Sequence, residues 1–296
     1  MQEFKSIDWA TIQNKSDILL NVAKEMLLSS ASYPLKDIKQ INPACAGVYY
    51  ILDPQKRHSY VGEAKELSKR LKQQSTKNTS TFYKTYSKVF KGNLKDIDEF
   101  FLKYICLNIA RKELEEFCMV NIPTSLNKSH KNKRKLIHEF NHSNHTDIAL
   151  WDFIQIHYTN VLIDGESKLV SFSHIPWNEA RPPSRPGVYS ISHDQYGLLY
   201  IGETSNLLQR YSKAHSKSTY ISAFRRNLGQ KIFGYELKVK NGKRRYFTKY
   251  EESSINKFIL ESYIRFIPVS FGRLELEEYL IGKYQPILNR KSKNSK

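Results

Sequence analysis

Gly47-Val48-Tyr49, followed by Tyr60-Val61-Gly62-Glu63, decides the fold, because the chain repeats this stretch as Gly187-Val188-Tyr189 and Tyr200-Ile201-Gly202-Glu203. Matched residues lie 140 positions apart. A leucine and an arginine downstream keep the same spacing: Leu67, Leu207, Arg70 and Arg210. Self-similarity at constant spacing is typical of an internal repeat. We therefore interpret the chain as two copies of one domain.

A second block supports this interpretation. Leu114-Glu115-Glu116-Phe117, ending at Asn127, returns 162 positions later as Leu276-Glu277-Glu278-Tyr279, ending at Asn289. The second copy therefore contains 22 more residues between its two blocks than the first copy.

The local pattern predicts an α+β domain. In copy one, the apolar runs Gly47–Leu52 and Ser59–Gly62 flank the turn-rich Asp53–Lys56, which favours an antiparallel hairpin. Leucine and arginine at helical spacing predict a helix next, with Thr204 or Ser205 as its N-cap in copy two. A third run then precedes the glutamate-bearing helix. Each copy is thus expected to be a small three-stranded antiparallel sheet flanked by helices.

The regions outside the repeat carry weaker patterns. Apolar residues at helical spacing between Ile12 and Leu27 predict an amphipathic helix that packs on copy one. Alternation from Trp151 to Phe172 around Asp164-Gly165 predicts a hairpin between the copies. The extra residues of copy two include Tyr235–Phe247, where Asn241-Gly242 predicts another hairpin with a basic tip.

These assignments define five segments: an N-terminal helical segment, domain 1, a basic linker with the connecting hairpin, domain 2, and a basic tail. Their bounds are 1–42, 43–130, 131–182, 183–291 and 292–296, with the basic hairpin insertion at about 232–260.

Composition narrows the class of protein. The 296 residues include 47 Lys and Arg against 29 Asp and Glu, a net charge of +18 that favours a polyanionic partner. No apolar run approaches the ~20 residues of a membrane helix. Three cysteines, Cys45, Cys106 and Cys118, without a close pair predict a reducing compartment, no disulfide framework and a cytoplasmic location.

Together, the ordered Gly-Val-Tyr, Tyr-x-Gly, Arg, Glu and Asn residues resemble the GIY-YIG nuclease family, over residues 43–130 and 183–291. That family includes phage homing endonucleases, some restriction endonucleases and the incision subunit of bacterial nucleotide excision repair. The end block of copy two follows the family pattern closely. In copy one the proline comes one place early, at Pro123, which predicts a distorted last turn.

The resemblance implies ten catalytic residues, five in each copy: Tyr49, Tyr60, Arg70, Glu115, Asn127, Tyr189, Tyr200, Arg210, Glu277 and Asn289. A helix carboxylate, Glu115 or Glu277, suits a hard cation, Mg²⁺ or Mn²⁺, with one ion in each active domain. The arginine suits a phosphate, and the asparagine would orient the site. One tyrosine of each pair would act as general base, and the sequence leaves open which.

Many family members carry a histidine one helical turn after the arginine. The corresponding positions here are Gln74 and Ala214, and His215 lies one place later, which is about 100° around a helix. Copy two therefore has a possible auxiliary histidine, and copy one has none nearby.

Two basic stretches are candidates for nucleic-acid binding, and the alternative is that they are solvated surface charge. Their candidate residues are Lys131, Lys133, Arg134, Lys135, Lys243, Arg244 and Arg245. His138-Glu139-Phe140-Asn141-His142, with His145 beyond, also matches a zinc-protease pattern. Its polar surroundings favour a connector instead.

Two hypotheses follow. The first is a divalent-metal-dependent DNA endonuclease with two sites, cutting double-stranded DNA as a monomer of two similar domains or as a homodimer. Restriction or antiviral (phage) defence is its expected role, ahead of repair and homing. The second is a nucleic-acid-binding protein with one catalytic and one degenerate domain. It predicts salt-sensitive binding that is indifferent to the loss of Glu115 or Glu277.

Overall fold

The structure is a computed structural model that describes residues 8–41, 43–55, 58–90, 95–127, 145–240 and 244–289. The chain divides into two compact units, residues 1–161 (unit 1) and 162–296 (unit 2). Both combine helices with an antiparallel sheet, as the α+β prediction requires.

Unit 1 opens with the predicted N-terminal helical segment. The helices are α1 (Trp9–Asn14) and α2 (Ser16–Ser29), followed by strand β1 (Tyr33–Pro34) and a short helix α3 (Ile38–Ile41). The repeat then supplies β2 (Gly47–Leu52), β3 (Ser59–Ala64), α4 (Leu67–Gln74), α5 (Thr81–Val89), β4 (Phe101–Cys106) and α6 (Arg111–Asn121). Helix α7 (His145–Ile156) follows, and α8 (Tyr158–Ser171) runs across the division between the units.

Unit 2 repeats the order with an insertion. Its elements are β5 (Ile175–Pro176), β6 (Gly187–His193), β7 (Gly197–Thr204), α9 (Leu207–Gln209), a π-helical turn (Arg210–His215), α10 (Ala223–Lys231), β8 (Lys238–Lys240), β9 (Arg244–Tyr246), α11 (Lys249–Leu260), β10 (Tyr263–Pro268) and α12 (Arg273–Tyr284). Strands β8 and β9 pair as the predicted basic hairpin.

Besides the two-stranded β8–β9 hairpin, the described residues form two sheets of four strands each, not the predicted three. Their orders are β1-β4-β2-β3 and β5-β10-β6-β7, all antiparallel. The additional strands, Tyr33–Pro34 and Ile175–Pro176, have only two residues each, too few to show an alternating pattern in sequence. In both sheets the strand that carries Tyr-x-Gly is at the edge.

The central strand β2 is buried on both faces. Tyr49 and Ile51 pack with Leu67, Leu71 and other residues of the α4–α5 side into one core. Because side chains alternate along a strand, the other residues of β2 face the opposite side, where α2 and α6 contact it. The N-terminal helix therefore packs on copy one, as predicted.

The predicted hairpin at Trp151–Phe172 is wrong, because this segment lies in α7 and α8. Val161, Leu162, Glu166 and Leu169 are buried, which is helical spacing, and Gly165 lies within the buried face. The burial of one helical face outweighs the turn preference of Asp-Gly.

The N-cap and cysteine predictions also need correction. Asn206, rather than Thr204 or Ser205, caps α9: its side chain accepts a hydrogen bond from the Gln209 backbone N–H at 2.9 Å. Cys45 and Cys106 form a disulfide, contrary to the prediction, because pairing of Gly47 with Cys106 brings the two cysteines together. None of the described helices is long and apolar enough to cross a membrane.

Candidate active site

In each copy, the rings of the two tyrosines lie close together, next to the glycine of the Tyr-x-Gly strand. Tyr189 on β6 lies opposite Gly202 on β7, and the ring centroids of Tyr189 and Tyr200 are 6.2 Å apart. A Cβ atom added to Gly202 would lie 2.4 Å from the Tyr189 Oη atom. Only glycine therefore leaves room for the tyrosine ring. In unit 1, Tyr49 and Tyr60 also have centroids 6.2 Å apart, over Gly62.

The π-helical turn brings His215 to the tyrosine hydroxyl. The Nε2 atom of His215 lies 2.7 Å from Tyr189 Oη, and its Nδ1 atom lies 2.7 Å from Ser222 Oγ. The predicted rotation of His215 by about 100° from the family's histidine position, at which Ala214 stands in the sequence, is therefore wrong. A π-helical turn accommodates one extra residue, which returns the next side chain to the same face.

Gln74 occupies the matching place in unit 1. Helix α4 stays α-helical, and the Gln74 Nε2 amide donates to Tyr49 Oη at 2.9 Å. Its Oε1 atom accepts a hydrogen bond from Ser80 Oγ at 3.1 Å. This contact corresponds to the one between His215 and Ser222 in unit 2. Both serines cap the next helix. Each site therefore has the same pattern, in which one side chain contacts both the tyrosine hydroxyl and the serine: His215 in unit 2 and Gln74 in unit 1.

Burial sets the protonation states of these groups. It raises the pKa of Tyr189 well above its usual value, and it raises the pKa of Tyr200 to about 12, with a further contribution from the Glu277 carboxylate. Burial, then Arg210 and Arg225, lowers the pKa of His215 well below its usual value. At neutral pH the phenols are protonated and the imidazole is neutral. A neutral imidazole nitrogen can accept the phenol's hydrogen bond, whereas the amide nitrogen of Gln74 can only donate one.

Arginine and glutamate complete the site in unit 1. Arg70 Nε donates to Tyr49 Oη at 3.2 Å. A cavity of 360 Å³ is lined by Tyr49, Tyr60, Arg70 and Glu115, together with Glu63 and others. The structure thus brings four of the five predicted catalytic residues of this copy to one cavity.

The corresponding groups of unit 2 are also close together. The pKa of Glu277 is raised to about 8, first by burial and next by the carboxylate of Glu203, and Arg210 acts in the opposite direction. Arg210 likewise lowers the pKa of both tyrosines against the larger effect of burial. Tyr189, Tyr200, Arg210 and Glu277 therefore share one electrostatic environment.

The two glutamates differ in their neighbours. Glu115 forms a salt bridge with Lys112, with Nζ and Oε2 2.5 Å apart. Leu274 stands at the position of this lysine in unit 2. A second glutamate, Glu63 or Glu203, lies near each of these two glutamates, so the difference between the units is the lysine that pairs with Glu115 and has no counterpart at Leu274.

The asparagines fasten the edge strand. Asn289 accepts from the Ile201 N–H and donates to the Ile201 carbonyl, both at 2.8 Å. Asn127 does the same with Val61, at 2.8 and 2.7 Å. The early Pro123 therefore leaves the asparagine of unit 1 in the same arrangement. Each asparagine therefore fixes the backbone of the residue between the tyrosine and the glycine of Tyr-x-Gly.

Sequence reasoning missed a salt bridge between an arginine and a glutamate that recurs in both units. Arg273, the first residue of α12, pairs with Glu203, its Nε atom 2.7 Å from Oε2, and Arg111 of α6 lies 3.6 Å from Glu63. Both arginines are buried and follow a residue with positive φ, Gly272 or Ala110. These pairs keep the offsets of 140 and 162, which was the available signal.

Several predicted residues cannot be placed. Lys131, Lys133, Arg134, Lys135 and Lys243 lie outside the described residues, as does His138–His142, while the side chains of Arg244 and Arg245 on β9 are not described. His145 begins α7. Within the described ranges, no group of three or more His, Cys, Asp or Glu residues is arranged to hold a metal ion.

Comparison with known protein families gives a match within unit 2. Residues 175–296 match the family model described as the GIY-YIG catalytic domain, and the match does not extend to unit 1. Searches of curated proteins and of solved structures returned no match. GIY-YIG nucleases generally depend on a divalent metal. Residues 175–296 are thus similar to the GIY-YIG catalytic domain, and that family consists of nucleases, hydrolases that act on phosphodiester bonds.

Proposed function

We propose that the chain is a divalent-metal-dependent DNA endonuclease whose catalytic centre lies in unit 2. The observation that carries the proposal is the gathering of Tyr189, Tyr200, Arg210 and Glu277 around one site, with the imidazole of His215 2.7 Å from Tyr189 Oη. Hydrolysis of a phosphodiester needs an activated water and positive charge near the phosphate. This set supplies both.

Each side chain has a distinct task in this proposal. The planar guanidinium of Arg210 binds a phosphate oxygen through its fixed donors. One tyrosine hydroxyl accepts the proton of the attacking water as it loses its own. Tyr189 is the better placed for this, because the ring of His215 lies 2.7 Å from its oxygen and can take up the phenol's proton as the proton of the water arrives, so that no phenolate has to form.

The glutamate fits a hard divalent cation, Mg²⁺ or Mn²⁺. Two carboxylates, Glu277 and Glu203, lie close enough to raise the pKa of Glu277, and carboxylate oxygens are the ligands that such ions prefer. A cation held mainly by Glu277 would take most of its other ligands from water and phosphate. When bound, the ion supplies positive charge that polarises the phosphate and favours ionisation of water.

Two observations favour a degenerate site in unit 1. Lys112 already neutralises Glu115, at 2.5 Å, and would compete with a cation for this carboxylate. Gln74 replaces the histidine and cannot take up a proton. Unit 1 is therefore proposed as a nucleic-acid-binding domain that retains the catalytic frame. Its cavity still gathers Arg70 and two tyrosines, so a second nuclease site is the competing proposal.

Restriction or phage defence is the proposed biological role, with double-stranded DNA in the cytoplasm as the substrate. A chain with two related nuclease-like domains, or a homodimer of such chains, can contact both strands of a DNA duplex. The net charge of +18 supports binding to the phosphate backbone.

Cleavage of a supercoiled plasmid tests the proposal. The wild type and Glu115→Ala, Glu277→Ala and doubly substituted variants are incubated with plasmid and Mg²⁺ or Mn²⁺. We expect nicking or linearisation by the wild type and by Glu115→Ala, and none by the two variants that lack Glu277. A wild type that leaves the plasmid intact with every divalent metal would refute the nuclease proposal. Loss of cleavage in Glu115→Ala would show that unit 1 is catalytic.

A further inference from the structure

The additional residues of unit 2 form one side of a second cavity. This insert pocket has a volume of 440 Å³, within the ~300–1,000 Å³ range of small-ligand sites. Tyr246 of β9 and Lys249 and Asn256 of α11 line it on one side. The segment Lys217–Tyr220, which follows the π-helical turn, lines it on the other.

A buried arginine links the insert pocket to the catalytic histidine. Arg225 is 1% exposed and donates to the His215 backbone carbonyl at 3.0 Å and to Asn256 Oδ1 at 2.7 Å. It also forms a salt bridge with Glu252, which offsets its charge. The base of the pocket is therefore rigid and electrically balanced, and it contacts the turn that positions the imidazole beside Tyr189.

The rim has the features of a nucleotide site. Lys217 and Lys249 are exposed and provide two ammonium groups for a phosphate. Tyr220 is 44% exposed and Tyr246 is partly exposed, so both rings present surface to the opening. Aromatic rings bind unpaired bases by stacking, and neighbouring cations bind the backbone. Ser253 and Asn256 add polar groups that can contact the edge of a base.

We propose that the insert pocket binds one unpaired nucleotide of the nucleic-acid substrate, with the base against Tyr220 and Tyr246 and the phosphate at Lys217 and Lys249. The inference rests on the proposed function, because it takes the ligand from the substrate of the nuclease. It adds a binding site outside the group of catalytic side chains. Through Arg225, which lines the pocket and donates to the His215 carbonyl, the pocket adjoins the turn that carries this histidine.

Binding without cleavage tests the inference. Full-length protein is titrated, in buffer without divalent cations, into a dye-labelled single-stranded oligo-dA, and fluorescence anisotropy gives the Kd. The pocket variants are Tyr220→Ala and Lys249→Ala. The matched controls are Tyr250→Ala, whose ring is 78% exposed on α11, and Lys257→Ala, exposed on the same helix. These four side chains are surface groups, and thermal melting of each variant verifies the fold.

We expect Tyr220→Ala to weaken binding about ten-fold, since a stacked base contributes on this scale. Lys249→Ala should lower the slope of log K against log salt by about 0.7, the effect of one phosphate contact on single strands. The controls should stay within about two-fold of the wild type. Pocket variants that bind oligo-dA as tightly as their controls would overturn the inference.

The plasmid assay separates this inference from the proposed function. If the wild type cuts the plasmid and the pocket variants bind like their controls, the nucleotide-pocket proposal is refuted and the nuclease proposal stands. If the wild type does not cut the plasmid and the pocket variants lose binding, the nuclease proposal is refuted and the nucleotide-pocket proposal stands.

Discussion

Replacing Glu277 by glutamine should stabilise unit 2 while abolishing cleavage. The folded chain holds this carboxyl with a pKa of about 8 because of burial and of Glu203, whereas the ordinary value is 4.5. Between these two pH values the folded state retains a proton that the unfolded state has released, so the free energy of unfolding falls as the pH rises. At about 1.4 kcal/mol per pKa unit, the cost at pH 7 is at most about 3 kcal/mol.

The homologous substitution in unit 1 has the opposite sign. Glu115→Gln removes a salt bridge with Lys112 whose partners are mostly buried, and it leaves the ammonium group without its carboxylate. We expect this change to destabilise unit 1 by about 1 kcal/mol. Two matched positions of one repeat are thus predicted to respond to the same isosteric change in opposite directions.

Differential scanning calorimetry of the full chain at pH 5 and pH 7 measures both effects. At pH 7 a gain of 1–3 kcal/mol should raise the transition of Glu277→Gln by roughly 2–4 °C for each kcal/mol. At pH 5 the gain should fall below about 1 kcal/mol, because this pH is only about half a unit above the ordinary pKa, so ionisation stabilises the unfolded state little. A lower Tm for Glu277→Gln at pH 7, or a difference independent of pH, would refute the reasoning.

Other substitutions test the remaining parts of the site. Lys112→Leu should increase the affinity of unit 1 for Mn²⁺, measured by calorimetric titration, and Leu274→Lys should slow cleavage; equal Mn²⁺ binding by Lys112→Leu and wild type would contradict this. His215→Gln, which gives unit 2 the side chain of unit 1, should lower kcat about 100-fold with little change in KM; an unchanged kcat would exclude proton uptake by the ring. Gly202→Ala should abolish activity, since the new Cβ would lie 2.4 Å from a tyrosine oxygen, whereas Gly282→Ala, which meets open space, should leave activity intact in the plasmid assay.

Much of the fold was readable because the repeat made each weak pattern appear twice. The hairpins, the third strands and the glutamate helices lie where the sequence predicts them. The predictions failed where one pattern had to be judged alone. Asp164-Gly165 predicted a turn, but the helix is stabilised more by the burial of Val161, Leu162 and Leu169 on one of its faces than a turn at this dipeptide would be. The two-residue strands and the Cys45–Cys106 bond depend on long-range pairing, which has no local signal.

By itself, the sequence determined which side chains recur along the chain: two tyrosines, an arginine, a glutamate and an asparagine at offsets of 140 and 162. The tertiary structure decided how these side chains act. One additional residue in a π-helical turn returns His215 to Tyr189, and Lys112 reaches Glu115 from one helical turn before it. The i,i+3 spacing on a helix allows the Lys112–Glu115 pair, but which of the nearby carboxylates the lysine reaches depends on packing. Spacing along the chain cannot report the contact of His215, because the direction of a side chain depends on local helix geometry.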